Sequence, residues 1–381
     1  MQAKRGQLWA VLTIDTEADN AWEDHLNASV SNVQALRELA TLLRRYGAKA
    51  TCLVSYRVID DAQAVSILGE LFDEGLIEVG AHLHPWENPP FLEDEQDRRY
   101  HTYPHELPLE LFRKKLEVLT ERITEEFGAP MSYRAGRWGL AAAHVRVLED
   151  LGYEVDTSVT PLITWQRKPG LPLRLGGGGG CDYRRAPLEP YWMSWQDITR
   201  SGHSGLVELP VSVQFTRAMP TSIARLYGWL PEWARRPLRK GHLIKPVWAF
   251  AAEEPNDRME QMLESYAASS LSYFNMAFHS SEIMLGTSPR SRTPERLGQT
   301  MRNIEMTLAK LASTGRCRFD TLIEAARDWK RSALGASLPA GAPSPAGTST
   351  SIAAAPMTVA ATAAPAKAVA AEKPAPAEST R

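Results

Sequence analysis

The chain has 381 residues, with 43 Lys and Arg against 45 Asp and Glu, a formal net charge of −2. A balance this close to neutral removes any global electrostatic reason for nucleic acid or anionic lipid as the partner. With 44% hydrophobic residues and 11 tryptophans the chain can bury a large core, which excludes disorder throughout.

Cys52, Cys181 and Cys317 lie far apart without a CxxC spacing, so neither a disulfide framework nor a thiolate zinc site is expected. The first residues carry two positive charges but run straight to Asp15 and Glu17, without the apolar core of about 7–15 residues that a secretory signal needs. No stretch approaches the roughly 20 apolar residues of a membrane span. The expectation is a cytoplasmic protein with no integral membrane segment.

In chain order, residues 8–14 read as a strand. Val33, Leu36, Ala40 and Leu43 follow at helical spacing, closed by Gly47 in the position that favours a left-handed residue. A strand at 50–54, a helix at 61–74 and a strand at 77–81 come next. Phe112, Leu116, Leu119 and Ile123 mark a long helix ending at Gly128. Further strands are expected at 132–134, 154–156, 207–213, 273–278 and 316–319, with helices at 141–151, 256–271, 293–313 and 320–330. From about residue 333 the composition turns to Ala, Pro, Ser, Thr and Gly without an aromatic residue. There is too little apolar area there to offset ordering entropy, so 333–381 is expected to be a disordered tail.

Strands separated by helices require crossover connections and hence a parallel sheet. Six to eight such units in residues 1–332 favour a β/α barrel over an open doubly wound sheet. No GxGxxG or GxxxxGK[ST] is present, so phosphate-cradling nucleotide loops are not expected. Residues 160–272 read as a loop-rich cover carrying Trp165, Tyr183, Tyr191, Trp192, Trp195 and Trp229, suited to sugar stacking or to an apolar lid. The basic run Arg235-Arg236-Pro237-Leu238-Arg239-Lys240 reads as a solvated face or as a contact for phosphates of a nucleotide- or lipid-linked sugar.

The unusual polar residues fall at strand ends: Asp15 and Glu17, His82 and His84, Arg134, Asp156 and His279. In a β/α barrel the C-terminal strand ends open on one face, so these residues would converge on one site. His82 and His84, two apart on an extended segment, project from one face and suit capture of a divalent metal. Asp15 and Glu17 can divide labour, Glu17 as metal ligand and Asp15 as base. Arg134 can hold Asp15 ionised, and His279 suits a general acid.

The ordered set Asp15-Thr16-Glu17, His82-Leu83-His84-Pro85-Trp86, Tyr133-Arg134-Ala135-Gly136-Arg137-Trp138, Asp156-Thr157-Ser158 and Phe278-His279-Ser280 resembles the polysaccharide deacetylases, the NodB-homology carbohydrate esterases, and most of all the branch found in bacterial exopolysaccharide and surface-glycan biosynthesis. The resemblance covers about residues 8–330. It implies a distorted (β/α)7 barrel, a divalent metal, usually zinc, and removal of N-acetyl groups from an amino sugar or glycan. Asp15 would be the base, Glu17, His82 and His84 the metal ligands, and His279 the acid. Arg134 and Asp156 would set the charge states of base and acid, and Trp86, Arg137 and Trp138 would meet the substrate. Two departures stand out. The usual adjacent Asp-Asp is replaced by Asp15-Thr16-Glu17, so the metal carboxylate is Glu17 or is absent. The usual four-residue spacing of histidines would fall on Trp86, which leaves His84 as the second ligand. A metal-independent C–N hydrolase and a non-catalytic glycan-binding relative are the alternatives.

Overall fold

The structure, a computed structural model, describes residues 7–336 apart from 24, 27, 218, 219, 241–245 and 270. Its strands are β1 (Leu8–Thr16), β2 (Ala50–Val54), β3 (Ile77–Leu83), β4 (Ser132–Ala135), β5 (Val155–Asp156), β6 (Tyr191–Trp192), β7 (Val207–Glu208), β8 (Val213–Phe215), β9 (Pro246–Trp248), β10 (Tyr273–His279) and β11 (Cys317–Asp320). The main sheet runs β10-β1-β2-β3-β4-β5-β7-β6, with β11 also on β1 and β8 paired with β9 apart from it. Seven of its strands, β10, β1, β2, β3, β4, β5 and β7, pair in parallel in that order. Beyond β7 the chain returns to the other end of the path: Ser212 N donates to Asn275 O at 3.0 Å, and Asn275 N donates to Ser212 Oγ at 2.9 Å. These links curl the sheet into the distorted (β/α)7 barrel that the strand and helix alternation implied.

Helices cover the outside. Leu36–Tyr46 ends at Gly47, whose φ of 57° is the left-handed conformation that a side chain resists. Ala62–Asp73 starts from Asp61, whose carboxylate accepts from Ala64 N. Inside the barrel, Val11, Leu53, Val155, Val207 and Tyr273 pack against Leu322, Ile323, Ala325 and Ala326 of the last helix, Leu322–Ala336. Each aliphatic side chain buried this way contributes about 1.5–3 kcal/mol. That helix plugs one end of the barrel, and the C-terminal strand ends are left as the open one.

Three differences from the sequence reading have local causes. The run 207–213 is two strands, because Pro210 between them has no N–H to give to a ladder. The cover region contains two helices, Thr221–Trp229 and Glu232–Lys240, between β8 and β9. The last helix continues to Ala336, four residues into the segment expected to be disordered, and the rest of that segment lies outside the described residues.

Candidate active site

Strand register gathers the site. Asp15 is the ladder partner of His279, and His82 is that of Arg134. Asp15, Glu17, His82, His84 and His279 line one cavity of about 460 Å³, together with Trp22, Tyr103, Arg137, Trp138, Trp165, Lys168, Trp248, Phe250, Glu253, Pro289 and Arg290. Four strand ends distant in sequence therefore face the same space.

Asp15 is fixed from behind. Arg134, fully buried, donates from Nη1 to Asp15 Oδ1 at 2.5 Å, from Nη2 to Thr13 Oγ1 at 2.7 Å and from Nε to Thr157 O at 3.0 Å. Asp15 Oδ2 remains turned to the cavity, 3.8 Å from His279 Nε2 and 4.0 Å from His82 Nε2. Burial works against ionisation of Asp15, but Arg134, with His82 and His279, overrides it and holds the carboxyl below its ordinary pKa. It is a carboxylate at neutral pH with one oxygen free to accept a proton.

Glu17 Oε2 lies 2.7 Å from His84 Nε2 and 3.6 Å from His82 Nε2. These three residues are the one group among the described residues able to offer three ligand atoms to a metal ion, all within 4.8 Å of one another. The donor chemistry fits a divalent ion. His82 Nδ1 donates to the Arg134 carbonyl oxygen at 3.0 Å, so Nε2 is the nitrogen that faces Glu17; burial works against its charge, but Asp15 and Glu17 raise the His82 pKa, and a metal ion there would take the place of the Nε2 proton. Despite its burial, Glu17 is held far below the ordinary carboxyl pKa, because His279, His82 and His84 surround it. Two imidazoles and a carboxylate, with room in the cavity beside them, make an open catalytic-type donor set. Gly136 is part of that fit: a Cβ there would stand 2.4 Å from Leu83 O and 2.6 Å from His84 Nδ1, so any side chain would displace the ligand.

His279 completes the ring. Its Nε2 lies 3.7 Å from Glu17 Oε1, and its Nδ1 lies 3.1 Å from Glu282 Oε1. Burial lowers the imidazole pKa, yet Glu282, Glu17 and Asp15 together raise it to about 9, so the ring is protonated at neutral pH. Glu282 is itself fully buried and braced by Arg290 Nη1 at 3.3 Å. Sequence reasoning missed Glu282. The available signal was its position three residues beyond His279, where its carboxylate also accepts from His279 N at 2.8 Å.

Two expected site residues lie elsewhere. Trp86 does not line the cavity: it is buried behind His84, ring centroids 4.3 Å apart, and supports the ligand rather than meeting a substrate. Asp156 sits a layer below the site. It is the ladder partner of Glu208, accepts from Ser158 N at 3.0 Å and from Ser158 Oγ at 2.7 Å, and touches neither Asp15 nor His279. Burial raises Asp156, and burial together with Asp156 raises Glu208 well above the ordinary range, so this carboxyl pair holds a proton. A raised folded-state pKa contributes stability that is complete below the unfolded value, about 4.3 for Glu, and lost as pH rises through the folded value. Glu208→Gln keeps an oxygen for Val159 N, which donates to Glu208 Oε1 at 3.1 Å, and needs no proton. Its melting temperature is therefore expected to fall less than the parent's between pH 6 and pH 9 in a thermal scan; parallel curves would remove the shared proton.

Arg137 and Trp138 do line the cavity. Both have left-handed backbones, φ 57° and 63°, a conformation costing non-glycine residues about 1 kcal/mol or more each. Arg137 stacks on Tyr103 at 4.0 Å and donates to Pro169 O at 2.9 Å. Trp138 stacks with Trp165 at 6.3 Å, and Trp248 stacks with Phe250 at 4.5 Å. Trp165 comes from the cover region as expected. Tyr183, Tyr191 and Trp192 are instead used in packing, and Trp195 donates to Glu149.

No protein-family model and no curated protein matches the chain. Among solved structures it is similar to a protein of Parabacteroides distasonis described as a glycoside hydrolase/deacetylase, with a TM-score of 0.53, 14% identity, and 86% of this chain and 72% of that one covered. The chain shares this deacetylase-type barrel fold. It is also similar to a protein of Mycobacterium smegmatis described as a polysaccharide deacetylase, with a TM-score of 0.47, 15% identity and coverages of 87% and 94%. A 4-alpha-glucanotransferase of Thermococcus litoralis gives a TM-score of 0.46, 11% identity and coverages of 84% and 40%. Likeness at these identities is one of fold, and the chemistry has to be argued from the site.

Proposed function

We propose that the protein is a metal-dependent amidohydrolase that removes N-acetyl groups from an amino sugar or glycan of surface polysaccharide metabolism in the cytoplasm. The observation that carries this reading is the facing pair of Asp15 Oδ2, ionised, and His279 Nε2, protonated, 3.8 Å apart beside Glu17, His82 and His84. The name given to the Parabacteroides distasonis protein of similar fold, a glycoside hydrolase/deacetylase, agrees with it.

Hydrolysing an acetamide needs a base for water, charge to stabilise the tetrahedral oxyanion, and an acid for the departing nitrogen. Asp15 accepts the proton of the attacking water at Oδ2, while Arg134 on Oδ1 fixes its orientation and keeps it ionised. The water oxygen bonds to the acetyl carbon, the C–N bond breaks, and His279 Nε2 gives its proton to the nitrogen, leaving acetate and a free amine. Glu282 on Nδ1 orients the imidazolium. Glu17, His82 and His84 would hold zinc or a similar divalent ion, which when bound supplies charge that polarises the acetyl C=O and makes water more acidic. Trp138, Trp165, Trp248 and Phe250 wall the cavity with faces suited to sugar C–H surfaces.

Acetate release over a panel of N-acetylated amino sugars and glycans, with zinc and after exhaustive chelation, tests the proposal. Release that depends on added metal supports it. Undiminished release after chelation would favour a metal-independent C–N hydrolase, and none from any member would favour a glycan-binding role. Removing one stacking face should separate binding from chemistry: Trp165→Ala is expected to raise KM about 3–10-fold with kcat little changed. A kcat loss with KM unchanged would take Trp165 out of the sugar site.

A further inference from the structure

We infer that the helical hairpin formed by Thr221–Trp229 and Glu232–Lys240 is a docking face for an anionic membrane surface. Its inner side is firmly seated. Ala224 and Tyr227 are buried, and the Tyr227 ring meets Phe215 of β8 at 5.3 Å. Gly228 packs so closely on Arg184 O that a Cβ would come within 2.3 Å of it. Arg235, 3% exposed, ties the second helix to the first by donating from Nε to Leu230 O at 2.8 Å and from Nη2 to Gly228 O. The hairpin is thus a fixed platform.

What it displays is unusual for a surface. Ile223, Leu226, Trp229 and Trp233 are 48%, 62%, 56% and 78% exposed, a concentration of large apolar side chains on one short connection. Ile223, Leu226 and Trp229 follow at three-residue spacing on one stripe of the first helix, opposite the buried Ala224 and Tyr227. Interspersed are the exposed Arg185, Arg225 and Arg236; Arg225 also acts electrostatically on the carboxyl of Glu189, and Arg185 lies over the Trp229 ring at 4.2 Å. Apolar side chains and arginines on one face, with indoles at its margin, suit the headgroup–acyl boundary of an anionic bilayer, where Trp sits at headgroup level and Arg meets lipid phosphates. A soluble partner or a second copy would favour a drier patch with charge at its rim, whereas here the arginines alternate with the apolar residues. Among the described residues no helix is long and apolar enough to cross a membrane.

The placement bears on the reaction. The hairpin is inserted between β8 and β9, and Trp248 of β9 lines the catalytic cavity. Resting on the proposed activity, the inference narrows the substrate to an amino sugar presented at a membrane surface, as on a lipid phosphate carrier. The docking face itself stands on its own residues.

Co-sedimentation of the full chain with vesicles tests it. Partition onto phosphatidylcholine–phosphatidylglycerol vesicles is expected to exceed that onto phosphatidylcholine alone by about tenfold and to fall with added salt. Trp229→Ala/Trp233→Ala is expected to abolish it, and Arg225→Gln/Arg236→Gln to remove the preference for anionic lipid. All four side chains are exposed, so unchanged melting temperatures are expected and separate lost docking from lost folding. No binding by the parent, or binding unchanged in the tryptophan double variant, would overturn the inference. A dimer in sedimentation velocity that those tryptophan substitutions dissolve, without vesicle binding, would also overturn it and assign the face to a second copy. Vesicle binding without acetate release from any N-acetylated sugar would leave the docking face standing and remove the deacetylase reading instead.

Discussion

Asp15→Asn is expected to lower kcat for acetate release by about 10²–10⁴-fold, the usual contribution of a positioned general base. The substitution keeps the shape of the side chain and an oxygen for Arg134 Nη1, but removes the oxygen that takes the proton. It also leaves the fully buried Arg134 guanidinium without a carboxylate partner. Breaking a buried pair from one side costs about 3–5 kcal/mol, so the melting temperature should fall as well. The two effects can be parted. In Asp15→Asn/Arg134→Met both members of the pair are gone and the buried charge with them, so much of the lost stability should return while activity does not. Turnover of the single variant within a few-fold of the parent, measured as acetate released per chain, would remove Asp15 as the base and the proposed mechanism with it.

The strand ends were legible because their signal is local. A run such as 50–54 is bounded by Gly47 on one side and a helix start on the other, and it became β2 with the same limits. Placing Asp15, His82, Arg134 and His279 at such ends was enough to bring them together, since the parallel ladders set Asp15 beside His279 and His82 beside Arg134. Trp86 was given to the substrate by the resemblance, but β3 stops at Leu83 and Glu87 N and Asn88 N turn back to His84 O, and the indole lies behind His84. Asp156 stands at a strand end as well, but its ladder partner is Tyr133, one residue short of Arg134, and that step places its carboxyl beneath the site beside Glu208. Trp248 reaches the site on β9, a strand placed by packing across the barrel, for which one chain's periodicity carries no signal, whereas Glu282 is placed locally by the turn that follows His279. In the 221–240 hairpin Pro237 stands inside the second helix, and the burial of Ala224, Tyr227 and Arg235 shows which side is free.

His84→Ala and Glu17→Gln are each expected to reduce zinc retained by the purified protein from about one ion per chain to nearly none, as read by metal analysis after dialysis. Glu17 Oε2 is the atom nearest both imidazole nitrogens, so neutralising it removes the only anionic donor of the three and leaves two histidines alone. His84→Ala removes a donor and also the ring that Trp86 supports from behind. Gly136→Ala gives a graded test without deleting a ligand: its Cβ would press on His84 Nδ1 and Leu83 O and force the ring from its place, so zinc affinity should weaken about 10–100-fold in calorimetry while the donor set stays complete. Activity should follow occupancy, because several kcal/mol of charge stabilisation, about 10³-fold in rate, leaves with the ion. Metal content unchanged in both His84→Ala and Glu17→Gln would show that the ion, if bound, sits elsewhere. Activity that survives with the metal gone would leave Asp15 and His279 to carry the hydrolysis on proton transfer alone.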